Sequence, residues 1–365
     1  MKKEGSDRIN YGIELLRIVS MFMVVVLHVL NKGGVITGTK VLSTNYEIGW
    51  LLEAVTICAV NCFAIISGYV GITAKYKYSR MLYMWLRVIF YTISITLVFQ
   101  IFAPNTVGVT EWLSAIFPVM FVEYWYVTAY FGVLVFMPIL NIAGNKLSKT
   151  QYGMVILSMI FFFSVMQTIF RHDTYKLGFG YTTWWLIILY LIGGYVRKHG
   201  GVLKTFKKKT LLLLYMVVVL TMWGLKFMIE FLTTYWANTI KGEFLFDYTS
   251  PLVLTTAFLL FLLFERIDLK APIMKKVVSF AAPLSFSVYL IHTQKLVWEY
   301  VIYERFLKYG QYHPMTMIVM VFVTSVIIYL LCIAIDVVRE RLFKLLKIKQ
   351  FLDHLEKKYL HDIWS

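Results

Sequence analysis

The chain has 365 residues, 59% hydrophobic and 15% charged, with 36 lysines and arginines against 20 acidic residues and a net charge of +16. The apolar share exceeds the about 45–50% of soluble domains, which excludes an ordinary globular protein and predicts an all-α polytopic membrane bundle. The basic balance would suit nucleic acid in a soluble protein, so the placement of the charges along the chain decides that class.

Ten apolar spans are predicted in chain order, at roughly 9–30, 48–72, 81–103, 123–142, 153–170, 182–196, 211–231, 250–264, 279–298 and 315–337. Most approach the ~20 residues that a bilayer-crossing helix needs, and the sixth and eighth are short. With the N-terminus on the inner side, 26 of the 36 lysines and arginines fall in inner segments, 7 in outer segments and 3 within spans. This positive-inside split puts both termini in the cytoplasm and accounts for the net charge without nucleic acid. The first run is too long for a signal-peptide core and lacks a small-residue cleavage site after it, so no cleavable leader is expected. Residues 1–340 read as one membrane domain. Residues 341–365, basic with leucines at helical spacing, read as an amphipathic tail along the cytoplasmic membrane surface. The basic loop KTFKKKT (204–210) serves orientation in the same way. Cys58, Cys62 and Cys332 lie in apolar runs with no histidine or acid at ligand spacing, so they read as small buried hydrophobes and no metal site is expected.

The first span reads ELLRIVSMFMVVVLH (14–28). At ~100° per residue, the eleven residues from Arg17 to His28 fall within ~20° of whole turns, and Glu14 precedes Arg17 by three, so Glu14, Arg17 and His28 share a face. Snorkelling to the headgroups suits Arg17 but not His28. Aligned ionisable residues inside a membrane point to a polar cavity. The second span ends NCFAIISGYVGI (61–72), with Asn61 and Ser67 inside it and glycines that serve close packing. KYSRMLYMWLR (77–87) leads into the third span. Lys77, Arg80 and Arg87 lie there, with Arg87 ~10 Å deeper than Arg80 on the same face, a basic rail suited to an anionic donor. The fourth span opens EYWYVTAYFGVLVFMPIL (123–140), where Trp125 and Tyr126 also fit an interfacial aromatic belt. In the ninth, SFSVYLIHT (285–293) places Ser285, Tyr289 and His292 on one face, and His292 comes to a depth comparable with His28.

These five stretches, in this order, resemble the signatures of the membrane-bound acyltransferase-3 family, and the ten-span layout matches over nearly the whole chain. The resemblance implies transfer of an acyl group, usually acetyl, from cytoplasmic acyl-CoA to a hydroxyl of a cell-envelope or exported glycan, by a multi-pass protein of a bacterial-type plasma (inner) membrane. It carries over His28 and Arg17, the Ser67-Gly68 turn, and Arg80 and Arg87. His28 is expected as general base, with Arg17 stabilising the oxyanion or holding Glu14. Lys77, Arg80, Arg87 and Ser67 are expected on the donor, and Asn61, Trp125, Tyr126, Tyr289 and His292 on the substrates. The chain departs from the family in its basic rail, Arg80-x6-Arg87, where Arg-x-x-Arg is common. Partners expected are acyl-CoA, the acceptor and lipid, with no nucleic acid; a homo-oligomer is compatible with the sequence. A transporter or exporter of a polar or lipid-linked substrate is the alternative, since such proteins also carry ionisable residues near the midplane. Against it, no inverted repeat is found and the charges form a one-sided rail.

Overall fold

The computed structural model describes residues 9–200, 205–235 and 242–360. The basic segment 1–8, Lys204, Lys241 and the last five residues of the tail lie outside the described residues. The described residues form helices and connecting turns, with no strand among them.

Asn10 starts α1 (Tyr11–Leu30): its side-chain oxygen accepts from the Gly12 and Ile13 amides, and its side-chain nitrogen donates to the Glu265 carbonyl. α2 (Thr44–Thr56) and α3 (Ala59–Gly71) form one crossing, interrupted at Ile57–Cys58. α4 (Tyr78–Phe102) leads to the short α5 (Val109–Ile116), and α6 (Trp125–Lys146) follows. α7 (Lys149–Ile160) starts with a Ser148–Gln151 capping box and continues through a π-helical stretch into α8 (Gln167–Phe170). Then come α9 (Thr183–His199), α10 (Lys208–Tyr235), α11 (Pro251–Glu265), α12 (Pro272–His292), the single-turn α13 (Lys295–Val297), α14 (Pro314–Leu345) and α15 (Ile348–Tyr359). Proline opens α11, α12 and α14, at the position where a helix has no use for its N–H.

Among the described residues nine helical stretches are long and apolar enough to cross a bilayer, and they coincide with the expected spans other than the sixth. The sixth is α9, with 17 residues. It is buried from Trp185 to Gly194, as befits a helix that is apolar all round. α9 lies against α3 with almost no side chain between them: a Cβ on Gly68 would sit 1.8 Å from the Tyr190 carbonyl oxygen, and one on Gly193 2.0 Å from that of Ile65. Asn61 meets Trp185, Gly68 meets Tyr190, and Ile72 meets Gly194. The two helices therefore run parallel, as the second and sixth of ten spans must. Gly68→Ala is expected to wedge them apart and destabilise the bundle by about 1–3 kcal/mol, read as a lower melting temperature of the purified protein.

Lipid-facing sides of α10 and α14 show apolar side chains such as Leu213, Val217, Val323 and Leu330, whereas α1, α3 and α9 form the buried centre. The three cysteines are free and buried. The 32 residues of α14 span ~48 Å, longer than the ~30 Å hydrocarbon core. Its inner end therefore projects from the basic face, unbroken across residues 340–341. A left-handed turn at Lys347 then folds α15 back onto α4.

Candidate active site

α1 and α12 run side by side, and the last turn of each carries a histidine. His28 Nδ1 lies 2.8 Å from His292 Nε2. The other ring nitrogen of His292, Nδ1, faces the Val288 carbonyl. A carbonyl only accepts, so His292 carries its proton on Nδ1 and offers a bare Nε2. His28 must then donate from Nδ1, which leaves His28 Nε2 as the free acceptor. A backbone carbonyl thus sets the tautomer of two histidines in series. The Trp298 ring packs nearly perpendicular to the His28 ring, with centroids 4.5 Å apart.

His28 lines an outer chamber of about 330 Å³ together with Asn31, Glu53, Trp125, Tyr126, Tyr289 and Trp298. Glu53 comes from α2, is 5% exposed, and receives the Asn31 amide on both oxygens at 3.0 and 2.9 Å. His28 also borders a side cleft of about 440 Å³ that runs under α5 to Ser114, Glu123 and Lys295. Burial pushes the Glu123 carboxyl above its ordinary range, against the pull of Lys295, whose backbone N–H donates to it at 3.0 Å.

An inner chamber of about 380 Å³ opens toward the basic face and is lined by Arg17, Ser67, Lys75, Lys77, Arg80 and Arg87. Lys77 is the residue before the first turn of α4, so Lys77, Arg80, Met84 and Arg87 form one stripe of that helix along the chamber. Ser67 Oγ bonds the Tyr130 hydroxyl at 2.7 Å on the opposite wall. Phe63, Tyr126 and Phe286 line both inner and outer chambers, so these three rings are the partition between them.

A family model described as an acyltransferase domain, acyltransferase-3, matches residues 10–337. The chain belongs to the acyltransferase-3 family. No curated protein and no solved structure matches it. Membership makes this multi-pass membrane protein an acyltransferase, and the transporter alternative gives way.

The candidate residues singled out in the sequence fall into three groups. His28, His292, Trp125, Tyr126 and Tyr289 gather around the outer chamber, as their depths and faces require. His292 stands behind His28, and the others are on the wall itself. Arg17, Ser67, Lys77, Arg80 and Arg87 gather around the inner one. Arg17 shares its helix face with His28, but eleven residues separate them by ~16 Å of rise. It therefore lines the inner chamber, paired with Glu14 at 3.7 Å, while His28 lines the outer one. Asn61 is the third case. Its side chain donates to the Tyr248 carbonyl at 2.8 Å and accepts from Trp185 at 3.1 Å, so it is a buried tie behind the chamber wall.

Arg87 is 8% exposed and already engaged: it donates to Asp336 at 2.8 Å, Ser287 at 2.7 Å and the Pro283 carbonyl at 3.0 Å. Asp336, fully buried, also accepts from Tyr91, Ser287 and Arg339. Glu53 and Asp336 were not singled out in the sequence. The available signal was a lone carboxylate inside an apolar run, which a membrane tolerates only with a partner or a purpose.

Proposed function

We propose that this acyltransferase moves an acetyl group from cytoplasmic acetyl-CoA to a hydroxyl of a cell-envelope or exported glycan, with His28 as general base. The observation that carries this reading is the His28–His292 pair, with a bare Nε2 on His28, in an aromatic chamber that meets a basic inner chamber across three rings.

The donor's phosphates suit the inner chamber, where Arg80 and Lys77 offer charge-assisted hydrogen bonds and Arg17 adds a third cation. The pantetheine arm is a thin chain and passes between Phe63, Tyr126 and Phe286, bringing the thioester to His28. The acceptor occupies the outer chamber, where tryptophan and tyrosine faces suit sugar rings and the Glu53–Asn31 pair offers polar contacts. His28 Nε2 takes the hydroxyl proton as the oxygen attacks the thioester carbonyl. The Tyr126 and Tyr289 hydroxyls, on the same wall, are donors for the tetrahedral oxyanion. Collapse of that intermediate breaks the C–S bond, and the imidazolium returns its proton to the departing thiolate. Ester and free CoA are the products, and His28 ends as it began. His292 holds the tautomer and stabilises the imidazolium, the part a carboxylate plays in a hydrolase triad.

Arg80→Ala tests the donor half. The KM for acetyl-CoA is expected to rise about tenfold, the loss of one charge-assisted contact of ~1.5 kcal/mol. An unchanged KM would remove the inner chamber from donor binding.

A further inference from the structure

The family match ends at residue 337, yet the chain beyond it packs behind α4, the helix whose basic stripe lines the inner chamber. α4 has two working faces. One is the Lys77–Arg80–Met84–Arg87 stripe along the chamber. The other rests on the C-terminal extension. The Tyr83 hydroxyl donates to Glu340 at 3.3 Å and receives Arg339 at 3.2 Å, and the Phe90 ring meets Phe343 at 5.6 Å.

At the start of α4 the contact is closer still. Glu356, in the last turns of α15, accepts the Tyr78 backbone N–H at 2.7 Å and the Ser79 hydroxyl at 2.6 Å. Lys77, the N-cap residue, makes no side-chain capping bond of its own. A helix N-terminus leaves its first amides without partners and favours a negative group, so Glu356 supplies from 278 residues away the cap that the local sequence omits. The capped turn is the one that carries Arg80, and Ser79 beside it is 4% exposed.

We infer that the C-terminal extension is a working part of the donor site, in which Glu356 is a positioning residue that caps α4 and holds Lys77 and Arg80 at the mouth of the inner chamber. The inference rests on the donor reading above. Glu356 does not line the inner chamber. It acts by fixing the helix turn from which the two cations project, so that binding does not first have to order it.

The test uses purified full-length protein in nanodiscs, with acetyl-CoA as the titrated probe. Glu356→Ala and deletion of residues 347–365 are expected to raise the Kd for acetyl-CoA about tenfold, and Ser79→Ala about threefold. For Glu356→Ala the KM for acetyl-CoA should rise in step with Kd while kcat changes less than about twofold. Glu356→Gln can still accept from Tyr78 and donate to Ser79, so it should bind within about twofold of wild type. That rescue separates the geometry of the cap from the charge of the tail. Arg80→Ala is the control for the donor reading itself. If it loses binding while Glu356→Ala, Ser79→Ala and the truncation bind like wild type, the positioning role is overturned and the donor site stands. If wild type binds no acetyl-CoA, the donor reading falls and takes this inference with it. Should Glu356→Ala fail to fold, the milder Ser79→Ala decides alone.

Discussion

His28→Ala is expected to lower acyl transfer about a thousandfold, the middle of the range for removing a general base, with donor affinity and melting temperature near wild type. The histidine sits at the end of α1, packed by Trp298 and with its side chain bonded, among the described residues, only to His292, so its loss removes chemistry and little packing. Steady-state transfer and acetyl-CoA titration on the same preparation separate the two. His292→Ala should cost less, about ten- to hundredfold, because His28 stays in place but loses the partner that selects its tautomer. Equal losses at both positions would mean that the pair acts as one unit. Wild-type transfer in His28→Ala would remove it from the base role.

The second large effect is on stability. Asp336→Ala leaves Arg87 and Arg339 buried without their shared carboxylate, and breaking such a pair costs about 3–5 kcal/mol. Three further groups lose an acceptor or a neighbour with it, since Tyr91 and Ser287 bond Asp336 directly and Tyr83 bonds Arg339. The measurement is thermal unfolding in detergent, with a strongly lowered midpoint expected. Arg87→Ala belongs beside it. A strut predicts a lowered midpoint with donor KM little changed, and a phosphate ligand predicts the reverse. The three hydrogen bonds of Arg87 favour the strut.

Periodicity made the first helix legible. The ~100° step brought Arg17 and His28 onto one face, and that face does line both chambers, Arg17 the inner and His28 the outer. Depth counting brought His28 and His292 together, and they meet at 2.8 Å. Hydropathy gave the order of the spans, and the parallel packing of α3 on α9, the second and the sixth, agrees with it. Partners far apart in the chain were not legible. Nothing local to Arg87 announces Asp336, 249 residues away, and nothing local to Asn61 announces Trp185 and Tyr248. The break at Ile57–Cys58 carries no glycine or proline to mark it. The fold-back of α15 depends on a left-handed Lys347, a conformation that sequence signals through glycine or asparagine and here does not.

Acyl transfer itself is the most direct thing to measure. Purified wild-type protein would be given acetyl-CoA labelled in the acetyl group together with an envelope extract of its host, and label would be followed into alkali-labile product with release of free CoA. The proposed chemistry predicts label in a base-labile ester for wild type and none above background for His28→Ala. A folded wild-type protein that transfers no label, or a His28→Ala protein that transfers it normally, would contradict it.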